Sequence, residues 1–147
     1  MASTVTASTM TVTISESITL NGKNQGGTQT LSIPSVAEVS KRIMTCLTSE
    51  VTLVSFAAAV APGTFIDADV RYVRITNLDD ENFVTLNVEG EGSTDFSIRL
   101  DAGASYIMAG SFVDHIDISG ATLENVSAIK GTANSAGCDL EVVVASA

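Results

Sequence analysis

His115 is the sole histidine, with Asp114 and Asp117 close by. An imidazole among carboxylates is the combination used for proton transfer and for metal binding. On a strand, however, side chains alternate between faces, so Asp117 shares the face of His115 and Asp114 points away. No Cys, His or Glu stands at ligand spacing to complete a coordination set. The run Asp79-Asp80-Glu81 gathers the oxygens that a hard cation such as Ca²⁺ prefers. It lacks the EF-hand spacing, and Asp and Asn also favour hairpin corners for their own turn chemistry. Glu89 and Glu91 are the nearest approach to a glycosidase carboxylate pair, in a chain with no Trp to form a sugar platform. Gly90 and Gly92 lack the third glycine and the strand-to-helix context of a dinucleotide loop. No serine stands in a Gly-x-Ser-x-Gly elbow. Asn125-Val126-Ser127 fits the glycosylation sequon, but the N-terminus has neither the basic nor the apolar region of a secretory signal. Cys46 and Cys138 are too few and too far apart along the chain for a disulfide framework or a zinc site. Cys46, in the apolar run Ile43–Leu47, reads as a buried inert thiol, and a reducing cytosol suits both cysteines. No catalytic residue, cofactor or metal is expected.

The elements that would position these residues are strands. Val70–Thr76 is β-rich, Asn77–Asn82 is an acidic turn-prone corner, and Phe83–Glu89 alternates with Val84, Leu86 and Val88 on one face. Asp95–Asp101 alternates more strictly, with Phe96, Ile98 and Leu100 opposed to Asp95, Ser97, Arg99 and Asp101. Period-two alternation bounded by Gly, Asn and Asp marks half-buried antiparallel strands, and three such runs predict a β-meander. Upstream, Thr11–Leu20 reads as a strand interrupted near Ser15–Ser17, Asn21–Gly27 as a loop, and Thr28–Ile33 as a strand ended by Pro34. Ser35-Val36-Ala37-Glu38 matches a helix capping box, yet Val39–Phe56 is dominated by β-branched residues. Two strands broken at Thr48–Glu50 are therefore expected there. Downstream, strands are expected at Ser105–Met108, Phe112–Ser119 (Ile116 and Ile118 inward), Val126–Lys130 and Leu140–Val144, with a small-residue loop over Gly131–Gly137.

Eight to ten short strands in 147 residues predict an all-β fold: a single antiparallel β-sandwich, jelly-roll-like, over residues 12–147. Residues 1–11 carry no charge and read as an extended N-terminal arm. Val5 and Met10 in the arm, with Val12 beside it, are the candidate interface residues. The arm reads either as a disordered tail or as a strand added to a neighbour's sheet edge; on the second reading it should matter for assembly and not for folding. Phe83 and Val143 are expected to face outward.

Seventeen Asp and Glu against seven Lys and Arg give a net charge of −10. With Lys41-Arg42 as the longest basic run, nucleic-acid binding is not expected. No apolar run reaches the length of a membrane span. Aromatics make up only 5% of the chain, so the core must come from aliphatic residues.

Two stretches, Phe65–Val84 with its Arg74-Ile75-Thr76-Asn77-Leu78-Asp79-Asp80 and Ile98–Met108 with its Arg99-Leu100-Asp101-Ala102-Gly103-Ala104-Ser105-Tyr106, resemble small β-sandwich virion proteins of tailed bacteriophages. The likeness covers the central third to half of the chain and carries no site residue. It implies a non-enzymatic structural protein of the virion, assembled in the host cytoplasm, that binds the major capsid protein or other virion proteins, usually as a homotrimer. A head decoration (cement) protein is the leading expectation. A tail or fibre component and a carbohydrate-binding module are the alternatives.

Overall fold

The computed structural model describes residues 4–92, 94–110, 115–116 and 123–147. In chain order the strands are β1 (Ser8–Ser15), β2 (Thr19–Leu20), β3 (Lys23–Asn24), β4 (Thr28–Val36), β5 (Glu38–Cys46), β6 (Val51–Ala57) and β7 (Phe65–Ile66). They continue as β8 (Val70–Asn77), β9 (Val84–Gly90), β10 (Asp95–Leu100), β11 (Ser105–Ala109), β12 (His115–Ile116), β13 (Glu124–Ala133) and β14 (Cys138–Ser146). The fold is all-β, as the alternation predicts. A 3-10 turn at Asp67–Asp69 is the only helical element among the described residues.

Two sheets form a sandwich. One has the order β10-β9-β13-β6-β7, with β12 also paired to β13, and the other the order β11-β8-β14-β5. All neighbours are antiparallel except β6 and β7. The inner face of the first sheet brings Leu53, Val54, Val84, Leu86, Val88, Val126 and Ile129 to the core. The second brings Val73, Ile75, Leu140, Val142 and Val144. In β8, β9 and β14 these side chains stand at alternate positions, so each strand turns one row to the core. β6 departs from this: the β13–β6 register shifts between Ile129 and Lys130, and the consecutive Leu53 and Val54 are both fully buried.

The three runs expected to form a meander divide between the two sheets. β9 and β10 are a hairpin, with Leu86 opposite Ile98, but β8 pairs with β11 and β14 in the other sheet. The acidic corner is the crossing between sheets, and Asn77 anchors it. Its buried amide donates to Asn82 O (2.8 Å) and Leu100 O (3.2 Å), and its Oδ1 accepts from Asp79 N. A fixed crossing of this kind has the same sequence appearance as a hairpin turn, because both need Asn and Asp. The loop expected over Gly131–Gly137 is shorter, since β13 runs on to Ala133. The two strands expected within Val39–Phe56 are β5 and β6. Most of the strand expected over Phe112–Ser119 lies outside the described residues; its residues 115–116 form β12 against Asn125 and Glu124.

A third layer covers part of the second sheet's outer face. β1 and β4 form an antiparallel two-stranded ribbon, and it continues past Ser15 through Glu16 N to Gly27 O and Gln25 N to Ile18 O. β2 and β3 close its end. The loop expected at Asn21–Gly27 is thus a strand end with a two-residue turn. Asn21 (φ 50°) and Gly22 (φ 75°) take the left-handed conformations that an Asn-Gly hairpin turn requires. At Gly26 the strands approach so closely that a Cβ would lie 2.1 Å from Glu16 O. Pro34 does not end β4. It sits where the β1–β4 register shifts between Ser8 and Met10, a bulge that tolerates the missing N–H.

Candidate interaction surface

The ribbon is built from residues that avoid charge. Between Ser8 and Val36 only Glu16 and Lys23 are ionic. Direct pairing puts Met10 opposite Ile33, Val12 opposite Leu31 and Ile14 opposite Gln29, so these side chains share one face. The root of that face is seated on the body. Ile33 and Val36 are buried with Tyr72, Val143 and Ala145 of the sheet, and Met10 and Val12 pack against the same cluster. Ala37 N donates to Ser146 O (2.9 Å) at the ribbon's base. Val143, expected to point outward to solvent, is therefore 7% exposed, because the ribbon lies over it.

Beyond the root the ribbon's large apolar side chains are uncovered. Leu31 is 37% exposed, Ile14 and Ile18 are 48% exposed, and Leu20 is 57% exposed. Among the described residues β1 and β4 pair only with each other, so both outer edges are open. β1 has no Gly, Pro or charge, the usual guards against pairing with another chain.

The three interface residues expected from the sequence therefore separate. Val5 precedes β1 and is 68% exposed, whereas Met10 and Val12 are half-buried within their own chain. The boundary placed at residue 11 falls inside β1. Removing residues through Met10 would strip the root of a packed side chain as well as shorten an arm. Ile14, Ile18, Leu20 and Leu31 were legible as apolar residues in the sequence, but nothing there distinguished them from core residues.

The other candidates take structural roles. Asp79 Oδ1 accepts from Glu81 N (2.9 Å) and Asn82 N (2.6 Å). These two backbone donors, Asn82's foremost, hold its carboxyl below the usual range. No group of three or more His, Cys, Asp or Glu placed to hold a metal occurs among the described residues. Glu89 borders an open cleft of about 330 Å³ with Glu91 and Asp95, but its carboxylate is held by Lys130 (2.8 Å), which also meets Glu50 (3.2 Å). Asn125 Nδ2 donates to the buried Asp67 (3.2 Å). No described aromatic ring is exposed: Phe56 and Tyr72 are buried, Phe65, Phe96 and Tyr106 pack on the core, and the Arg99 guanidinium lies 4.0 Å from the centre of the half-buried Phe83 ring. The side chains of His115, Asp114 and Asp117 lie outside the described residues. No helix among the described residues is long and apolar enough to cross a membrane.

The chain matches no protein-family model, no curated protein and no solved structure.

Proposed function

We propose that the protein is a non-enzymatic structural component of a tailed-bacteriophage virion, a head decoration protein that attaches and self-associates through its ribbon. One observation carries the reading: a charge-poor ribbon, seated by its root on an acidic body, leaves Ile14, Ile18, Leu20 and Leu31 uncovered and the edge of β1 unguarded. Backbone groups on an open edge gain hydrogen bonds by adding a strand, and the apolar stripe gains by losing water. Repetition over a lattice turns a modest contact into stable occupancy. On this reading the ribbon joins copies of the chain, a homotrimer being the expected assembly, and binds the capsid's major protein. The lack of an exposed aromatic among the described residues weighs against sugar binding, where rings normally stack on open aromatic faces.

The test is binding to phage heads prepared without this protein. Wild-type chain should bind the heads saturably, and Ile14→Lys with Leu31→Lys should bind far less while melting at the same temperature. Binding to isolated tails but not heads would replace decoration with a tail role. Binding to neither, with retention on a glycan array, would overturn the structural reading.

A further inference from the structure

Cys46 and Cys138 are separated by most of the chain, yet they are direct partners across the β5–β14 ladder. Directly opposed residues of antiparallel strands lie about 4.5 to 5.5 Å apart at Cα, depending on the type of pair. A disulfide accepts Cα separations of about 4.4 to 6.8 Å. Side chains of opposed residues also share one face, and both cysteines belong to the same core cluster with no exposed surface. Burial is the main cause that raises both thiols above the ordinary cysteine range, and Cys138 adds to the rise at Cys46. Opposite them, Gly131 keeps space open: a Cβ there would stand 2.9 Å from Cys46 Sγ.

We infer that Cys46 and Cys138, free thiols in this structure, form one oxidant-responsive site that closes as an intramolecular disulfide. The pair ends β5 and begins β14, beside the loops at residues 47–50 and 134–137. Fraying of those strand ends admits a small oxidant to thiols that are otherwise buried. With a low-molecular-weight disulfide such as oxidised glutathione, one cysteine thiolate attacks the reagent and releases one glutathione thiolate. The second cysteine then attacks the mixed disulfide, forms the Cys46–Cys138 bond and releases the second glutathione. Two protons leave the protein and protonate the two glutathione thiolates. The closed bond fastens the edge strand β5 to β14 where the chain leaves for the other sheet. It also encloses strands β6 to β13 in one covalent loop, which restricts the unfolded chain.

The experiment takes the reduced full-length chain, exposes it to oxidised glutathione, quenches with acid and alkylates under denaturing conditions before measuring intact mass. The expected product is a monomer two hydrogens lighter, with no alkylated site, no glutathione and one linked pair of cysteine peptides. Its melting temperature should be higher than that of the reduced chain, and dithiothreitol should reverse both changes. Cys138→Ala should instead leave a single thiol that is alkylated or carries one glutathione. Two alkylated thiols in the treated wild-type chain would overturn the inference, as would stable glutathione adducts or disulfides between chains. The wild-type mass decides the matter even if the variant does not fold.

Discussion

Asp79, Glu141 and Lys130 are charged side chains that the fold holds through named partners. Asp79 closes the crossing between sheets by accepting two backbone N–H groups. Glu141, on the outer face of β14, is held below the ordinary carboxylate range by Arg74 first and Lys41 second, the latter at 3.1 Å. Lowered native values mean that the unfolded chain binds protons first as the solution is acidified. Their stabilisation is thus complete above the ordinary carboxylate range, about 4, and is lost as pH falls through the lowered native values. Melting temperature followed against pH should drop in that window, and Glu141→Gln should lower the neutral plateau and so make the drop shallower. Lys130 is shifted upward by Glu89 and then Glu50, so its share persists to alkaline pH and disappears only above the ordinary lysine range. The sequence displayed Asp79 and Glu89 as candidates for metal or glycosidase chemistry. The backbone partners of Asp79 lie two and three residues on, in the turn that the sequence did show, whereas Lys130, the partner of Glu89, is distant along the chain and was not legible.

Element by element, legibility followed the alternation. Val84, Leu86 and Val88 were readable as an inward row because β9 has one wet face. The end of β14 reads differently: Val142-Val143-Val144-Ala145 is continuous, and continuous apolar runs mark strands covered on both sides. That run was the signal that something lies over the outer face. The alternating Met10, Val12 and Ile14, and Leu31 with Ile33, were the matching signal in the ribbon, but alternation cannot say where along a strand cover ends. Nor could it separate the β8–β9 crossing from a hairpin. The ribbon supplies a direct comparison. Ile33→Ala should destabilise the chain by about 2–4 kcal/mol, the range for an isoleucine truncated in a packed site. Ile14→Ala, on the same face but past the covered root, should cost no more than about 0.5 kcal/mol. Denaturant unfolding of both variants measures the difference. Equal costs would mean that the root is not seated as described.

At the scale of the whole molecule, charge is segregated. Glu16 and Lys23 cancel within the ribbon, so the net charge of −10 resides entirely on the remaining residues. Acidic bodies repel one another while neutral ribbons do not, which favours contact through the ribbon and keeps the bodies apart. Screening by salt should therefore strengthen association. In the proposed function the ribbon's uncovered distal half holds copies together and adds nothing essential to the fold. This is tested most directly by light scattering of the full-length chain over a range of concentrations, beside Ile14→Lys with Leu31→Lys. The expected result is a wild-type mass well above the 15.2 kDa of one chain, and a monomeric variant with an unchanged melting temperature. A wild-type chain that stays monomeric at every concentration and salt level, or a variant that associates equally well, would contradict it.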